Sequence, residues 1–253
     1  MSRRISADAL EQYRGQLNRW VAALAADDAE AVAADAAEPY GAGDVDLFTE
    51  GNESKRAEIL SLQLESLRPA FADLDRLIDE YMAARPLRAF AAGPADASAF
   101  LRWLLGAFEL TPEQIDYVSC RQARFDVEDA ARRRRVAHIR FQELRSVACG
   151  LAGRLRRNPR LRVHLNPARG WARLQTREFL DEETTLPGTV VFFAVDREIH
   201  SAVLDHPAPA LLKLLERKSL TLGTWAKRAG LSGLPELFDV TARLAEVGLV
   251  AFS

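Results

Sequence analysis

Apolar residues recur at helical spacing over most of the first 155 positions. Leu10, Leu17, Val21 and Leu24 fall seven, four and three residues apart, which puts them on one stripe of an amphipathic helix over residues 7–36. That helix runs out into Glu38-Pro39-Tyr40-Gly41-Ala42-Gly43-Asp44, where proline and glycine break helical geometry. A second stripe of Ile59, Leu62, Leu67, Phe71, Leu74 and Ile78 predicts helix over 54–82, kinked or broken at Pro69, which lacks a backbone donor. Residues 97–108 read as a short helix. Thr111-Pro112-Glu113 is a helix start: Thr111 suits the N-cap, proline the first position and glutamate the first turn. The helical pattern then continues to about Leu155.

After Asn158-Pro159 the texture changes. Leu161 to Leu165 alternates like a strand, and Thr189 to Val195 is a short β-branched and aromatic run, the two being separated by Gly170 and Pro187-Gly188. Glu198 to Leu204 predicts the next strand, with Asp196-Arg197 as a tight connection. Helical patterns return over 209–217, 222–229 and 235–247, the last closing at Gly248 before a short strand over 249–252. Three short helices with flanking strands outline a winged helix. The expected fold is therefore α+β and mainly α, with a helical domain over 1–155. A small sheet and a winged-helix-like module follow over 156–253.

Composition adds few constraints. The chain of 253 residues is 48 % hydrophobic and 28 % charged, which suffices for one large core or two modest ones. Cys120 and Cys149 stand far apart with no CxxC partner, the opening residues turn polar at once, and the longest apolar runs fall short of the roughly 20 residues of a membrane span. A cytoplasmic protein is expected.

Charge is uneven along the chain. Residues 1–130 hold 13 basic and 24 acidic side chains, and residues 131–253 hold 21 and 12, so the halves carry −11 and +9. Two mutually attracting domains, or one domain with a polarised surface, account for this; so does a basic face for an anionic partner.

Motifs for catalysis are lacking. His138, His164, His200 and His206 form no HxH, HxxxH or HExxH pair, so a metal site would have to be assembled at long range. There is no GxSxG elbow, no cysteine near a histidine in sequence, no GxxxxGK[ST] and no GxGxxG after a strand. No catalytic residue, metal ligand or cofactor site is assigned. Glu178, Asp181, Glu182 and Glu183 cluster in an expected loop, where solvated acidic turns are commonplace; docking of a basic peptide is the functional alternative.

Arginine is the unusual feature. Arg132 to Arg135 form a run, followed by Arg140, Arg145, Arg154, Arg156, Arg157, Arg160, Arg162, Arg169, Arg173 and Arg177, with Glu143 the only acid among them. Their planar forks suit carboxylates and phosphates, so the band can grip nucleic acid or an acidic peptide, or simply pair as a solvated face. Asp126, Glu128 and Asp129 lie at helical spacing from the run and favour a structural role for it.

The stretches KRAEILSLQLESLRPAFADLDRLIDEYMAARP and FLRWLLGAFELTPEQIDYVSCRQARFDVEDAARR resemble the helical N-terminal domain of HvfC-type proteins. The tail VFFAVDREIHSAVLDHPAPALLKLLERKSLTLGTWAKRAG resembles their C-terminal strand-strand-helix-helix module. That group includes the MbnC-type and TglI-type partners of multinuclear non-heme iron-dependent oxidative enzymes, which modify ribosomally made (RiPP) precursor peptides. The resemblance implies a non-catalytic subunit in which the iron belongs to the partner enzyme and a peptide-recognition domain captures the precursor.

Such a domain takes up an extended peptide as an added strand clamped against a helix. The candidate elements are the strands around 190–195 and 199–204 with the helix over 235–247, and the candidate peptide contacts are Val190, Phe192, Arg197, Arg228 and Arg243. Arg133, Arg134, Arg173 and Arg177 are the candidates for contact with the partner enzyme. The competing reading is a DNA-binding regulator using the same module, although its third helix offers one arginine, Arg243, against Glu236, Asp239 and Glu246. Neither a membrane partner nor a nucleic acid is the favoured expectation.

Overall fold

The computed structural model describes residues 42–86, 94–146, 158, 160–180, 185–204, 208–230 and 234–253. The helix expected over 7–36 lies outside them. The chain divides into two compact units, residues 1–107 and 108–253.

In the first unit, α1 (Ala42–Leu64) ends in a single 3-10 turn, Glu65–Leu67, and α2 (Leu74–Ala84) starts afresh, so the chain breaks around Pro69. Helix α1 begins within residues expected to be a breaker. Helix α3 (Pro94–Ala107) follows. The core takes Leu60, Leu64, Leu67, Phe71, Leu74, Ile78, Phe100, Leu101 and Leu104, whereas Ile59 and Leu62 of the expected stripe are left at the surface. The inward row of α1 is Arg56, Leu60 and Leu64, spaced by one helical turn, and it carries an arginine into the interior.

Burying that guanidinium requires a paired carboxylate. Asp96 supplies it through two parallel bonds, from Arg56 Nε at 2.8 Å and from Nη2 at 3.0 Å. Tyr81 Oη donates to the same carboxylate at 2.7 Å, and Arg56 Nη1 donates to the Arg85 carbonyl at 2.9 Å. The Tyr81 ring meets Phe100 edge to face, with centroids 5.3 Å apart.

In the second unit, α4 (Pro112–Arg133) opens with the expected cap. Thr111 Oγ1 accepts from the Gln114 amide at 3.2 Å while the Gln114 side chain accepts from the Thr111 amide at 3.1 Å. The helical stretch does not run unbroken toward Leu155; it ends at Arg134, and α5 (Arg135–Ser146) follows. The strands are β1 (Arg162–Leu165), β2 (Arg169–Leu174), β3 (Gly188–Val195) and β4 (Glu198–Val203). Then come α6 (Ala208–Lys213), β5 (Leu220–Thr221), α7 (Leu222–Arg228), α8 (Leu234–Glu246) and β6 (Val250–Phe252).

Two antiparallel sheets result, ordered β2-β3-β4 and β5-β1-β6. Strand β3 is buried on both faces. Val190, Phe192 and Ala194 pack toward α4, and Val191, Phe193 and Val195 pack into the core holding Leu211, Leu212, Trp225 and Leu249. This two-sided burial explains why β3 reads as a continuous apolar run. Asn166 joins the sheets, its Nδ2 donating to the Ala194 carbonyl at 2.9 Å and to the Gly248 carbonyl at 3.1 Å.

Helix α4 therefore belongs with the sheets: its apolar face is completed by β2 and β3. The division at 107/108 differs for that reason from the boundary near 155 suggested by the change in texture.

Candidate peptide-binding surface

Strand β3 has no free edge, because β2 and β4 pair with it on either side. Val190 and Phe192 lie beneath α4 and offer no open surface to a peptide. The open line of backbone belongs to β4. Leu204 donates its amide to the Thr189 carbonyl at 2.9 Å, and Val203 stands opposite Val190. The antiparallel alternation then turns the amides and carbonyls of Ile199, Ser201 and Val203 away from β3. Among the described residues no strand pairs with that outer side. The strand is held firmly from within: Ile199 and Val203 pack on the α4 side, Ala202 on the other, and His200 stacks on Phe193 with centroids 6.0 Å apart.

The β3–β4 connection is the two-residue turn expected, with both residues in left-handed backbone: φ is 49° at Asp196 and 73° at Arg197. Arg145 Nη1 approaches Asp196 Oδ2 at 3.4 Å. The exposed Arg197 thus sits at one end of the β4 edge, whereas Arg228 and Arg243 are exposed in the last turns of α7 and α8. Among the described residues no hydrogen bond or ion pair links these three arginines.

The four arginines expected at a partner interface fall into two groups. Arg133 pairs with Asp129 at 2.8 Å, and Arg134 marks the break between α4 and α5. Arg173 and Arg177 lie on and just beyond β2, close to the start of α4: Asp116 there accepts from the amide of Thr176 at 2.7 Å and from its hydroxyl at 2.6 Å. The rise along the helix from Asp116 to Arg133 is about 25 Å, so the two groups stand at opposite ends of α4.

Asp116, fully buried, also accepts from the Gln175 amide at 2.8 Å. Burial pushes the Cys120 thiol up to about 12, with Asp116 adding to the shift. The Arg121 guanidinium rests over the Phe125 ring at 4.2 Å, and burial holds its pKa below the ordinary value. Burial also depresses His138 and His164. Glu178 accepts from Tyr117 Oη at 3.2 Å; Asp181, Glu182, Glu183, His206 and Cys149 lie outside the described residues. Among the described residues no group of three His, Cys, Asp or Glu could hold a metal ion, and no helix is long and apolar enough to cross a membrane.

No family model, curated protein or solved structure compared with this chain matches it. The geometry of β4 is only partly legible in the sequence: its residues are placed, but not its position at a sheet edge. Strand β2, which decides that position, is missed by sequence reasoning. Its one available signal is Gly170, an isolated glycine that marks close backbone approach inside a strand.

Proposed function

We propose that the protein is a cytoplasmic, non-catalytic accessory subunit that captures an extended peptide and presents it to an iron-dependent oxidative enzyme. The observation that carries this reading is the outer edge of β4: three outward amide–carbonyl sets on a strand buttressed from both faces. Strand addition there gives main-chain affinity, and the alternating side chains of β4 provide specificity. Two further features support it. The resemblance to partner proteins of RiPP-modifying enzymes implies such a role, and the chain lacks the motifs of a self-sufficient catalyst.

We read the order α6-β5-α7-α8-β6 as a winged-helix-like module whose remaining strand, β1, is contributed from the N-terminal side. A DNA-binding regulator built on that module is the second reading, favoured by the exposed arginines near Arg134. Against it, α8 presents Asp239 and Glu246 to solvent beside Arg243, and carboxylates repel phosphates in a groove.

Ser201→Pro tests the peptide reading. Its amide points outward, so proline removes a docking donor without removing a ladder bond. Tagged wild-type and variant proteins are to be purified from the native host and their co-eluting peptides identified by mass spectrometry. The variant should keep its fold and lose the peptide; equal peptide recovery from both would contradict the proposal.

A further inference from the structure

Helix α5 has two unlike faces. Phe141 points inward, and Gln142 donates to the Ala194 carbonyl at 3.3 Å, so this side is committed to the fold. The opposite side carries Val136, Ile139, Arg140 and Glu143, spaced by three, four and seven residues along one stripe. Val136 is 67 % exposed and Ile139 is 48 % exposed. Around them stand the exposed arginines 132, 133, 134, 135 and 140. Asp129 pairs with Arg132 at 3.9 Å and Arg133 at 2.8 Å, and among the described residues no carboxylate is paired with Arg134, Arg135 or Arg140.

We infer that this face of α5 docks an acidic amphipathic helix of a partner protein. The inference rests on the reading of the chain as an adaptor and names the chemistry of its protein partner. An apolar pair at i and i+3 beside Arg134, Arg135 and Arg140, which have no paired carboxylate among the described residues, matches a helix bearing leucines on one stripe and carboxylates beside it. Charge decides among the occupants. A second copy of this chain docked through the same face would set arginine against arginine. Nucleic acid would leave Val136 and Ile139 unused. A bilayer surface calls for larger apolar side chains than this face offers. With only two apolar side chains to bury, affinity depends on the arginines and falls with salt.

The test uses the full chain and fluorescence anisotropy. The probes are a labelled 20-residue peptide with leucines on one helical stripe and glutamates elsewhere, a poly-glutamate of equal charge, and duplex DNA of equal charge. The amphipathic peptide should bind tightest. Arg134→Glu with Arg135→Glu and Arg140→Glu should weaken it about tenfold or more, and the milder Arg→Gln triple should fall between. Val136→Ser with Ile139→Ser should weaken it about fivefold and leave poly-glutamate unaffected. Circular dichroism and thermal melts check folding. Unchanged affinity in both arginine triples, or tighter binding of DNA than of the amphipathic peptide, overturns the inference. Ser201→Pro leaves this binding intact, so failure here and failure of peptide capture at β4 are separate results.

Discussion

Gly170 lies directly against Ala123. A Cβ on the strand glycine would stand 2.1 Å from the carbonyl oxygen of the helix residue, closer than atoms can approach. Strand β2 and helix α4 are therefore in backbone contact at this point, and the contact closes one face of the sheet.

Gly170→Ala must push α4 from β2 and should cost about 3 kcal/mol. Gly106, in the last turn of α3, has open space where a methyl group would stand, with no atom beyond its own helix backbone and chain neighbours within 4 Å. Gly106→Ala should therefore gain a few tenths to about 1 kcal/mol from helix propensity. Urea denaturation of the two variants checks both signs.

Gly170 also shows where the sequence is readable and where it is not. Local signals are sound: Thr111 and Pro112 start a helix, the chain breaks around Pro69, and Asp196-Arg197 forms a turn. Each depends on neighbouring residues only. Strand β2 stays hidden because its glycine looks like punctuation when the helix pressed against it is more than forty residues away. The same distance conceals the division at 107/108, the burial of Val190 and Phe192, and the Asp116 tether, none of which leaves a periodic trace. The resemblance and the peptide contacts drawn from it stand as expectations.

Burial and the bond to Asp96 push the Tyr81 hydroxyl up to about 12 from 10.0. Both folded and unfolded chains keep this proton below pH 10. Above it the unfolded chain loses the proton first, so this contribution to stability is intact below about 10 and is lost as pH rises through about 12. Absorbance at 295 nm should show a late-titrating tyrosine that Asp96→Asn brings earlier. Because Asp96→Asn leaves Arg56 buried without its counter-ion, it should also cost about 3 kcal/mol or more.

Cys120 should resist alkylation. With its thiol near 12, only about one molecule in ten thousand carries thiolate at pH 8. A short iodoacetamide pulse followed by peptide mass spectrometry should leave Cys120 unmodified until the chain is denatured. Asp116→Asn removes an added cause of the shift and loosens the tether to Thr176, so it should raise labelling and lower stability by about 2 kcal/mol.

Arg197 holds a left-handed backbone without being glycine. Arg197→Gly should relieve about 1 kcal/mol, seen as a raised midpoint of denaturation. If the arginine contacts peptide, the same variant gains stability and loses capture, a trade expected where strain serves a site.

A chain that works as the peptide-binding half of an oxidative enzyme pair must be found with its other half. Purification of the tagged protein from its native host through high-salt washes, with co-eluting proteins identified by mass spectrometry and their iron measured, asks for that directly. An iron-containing oxidative enzyme should be recovered in near-equal amount. A protein that elutes alone, or only with nucleic acid that the salt removes, would contradict the role proposed for it.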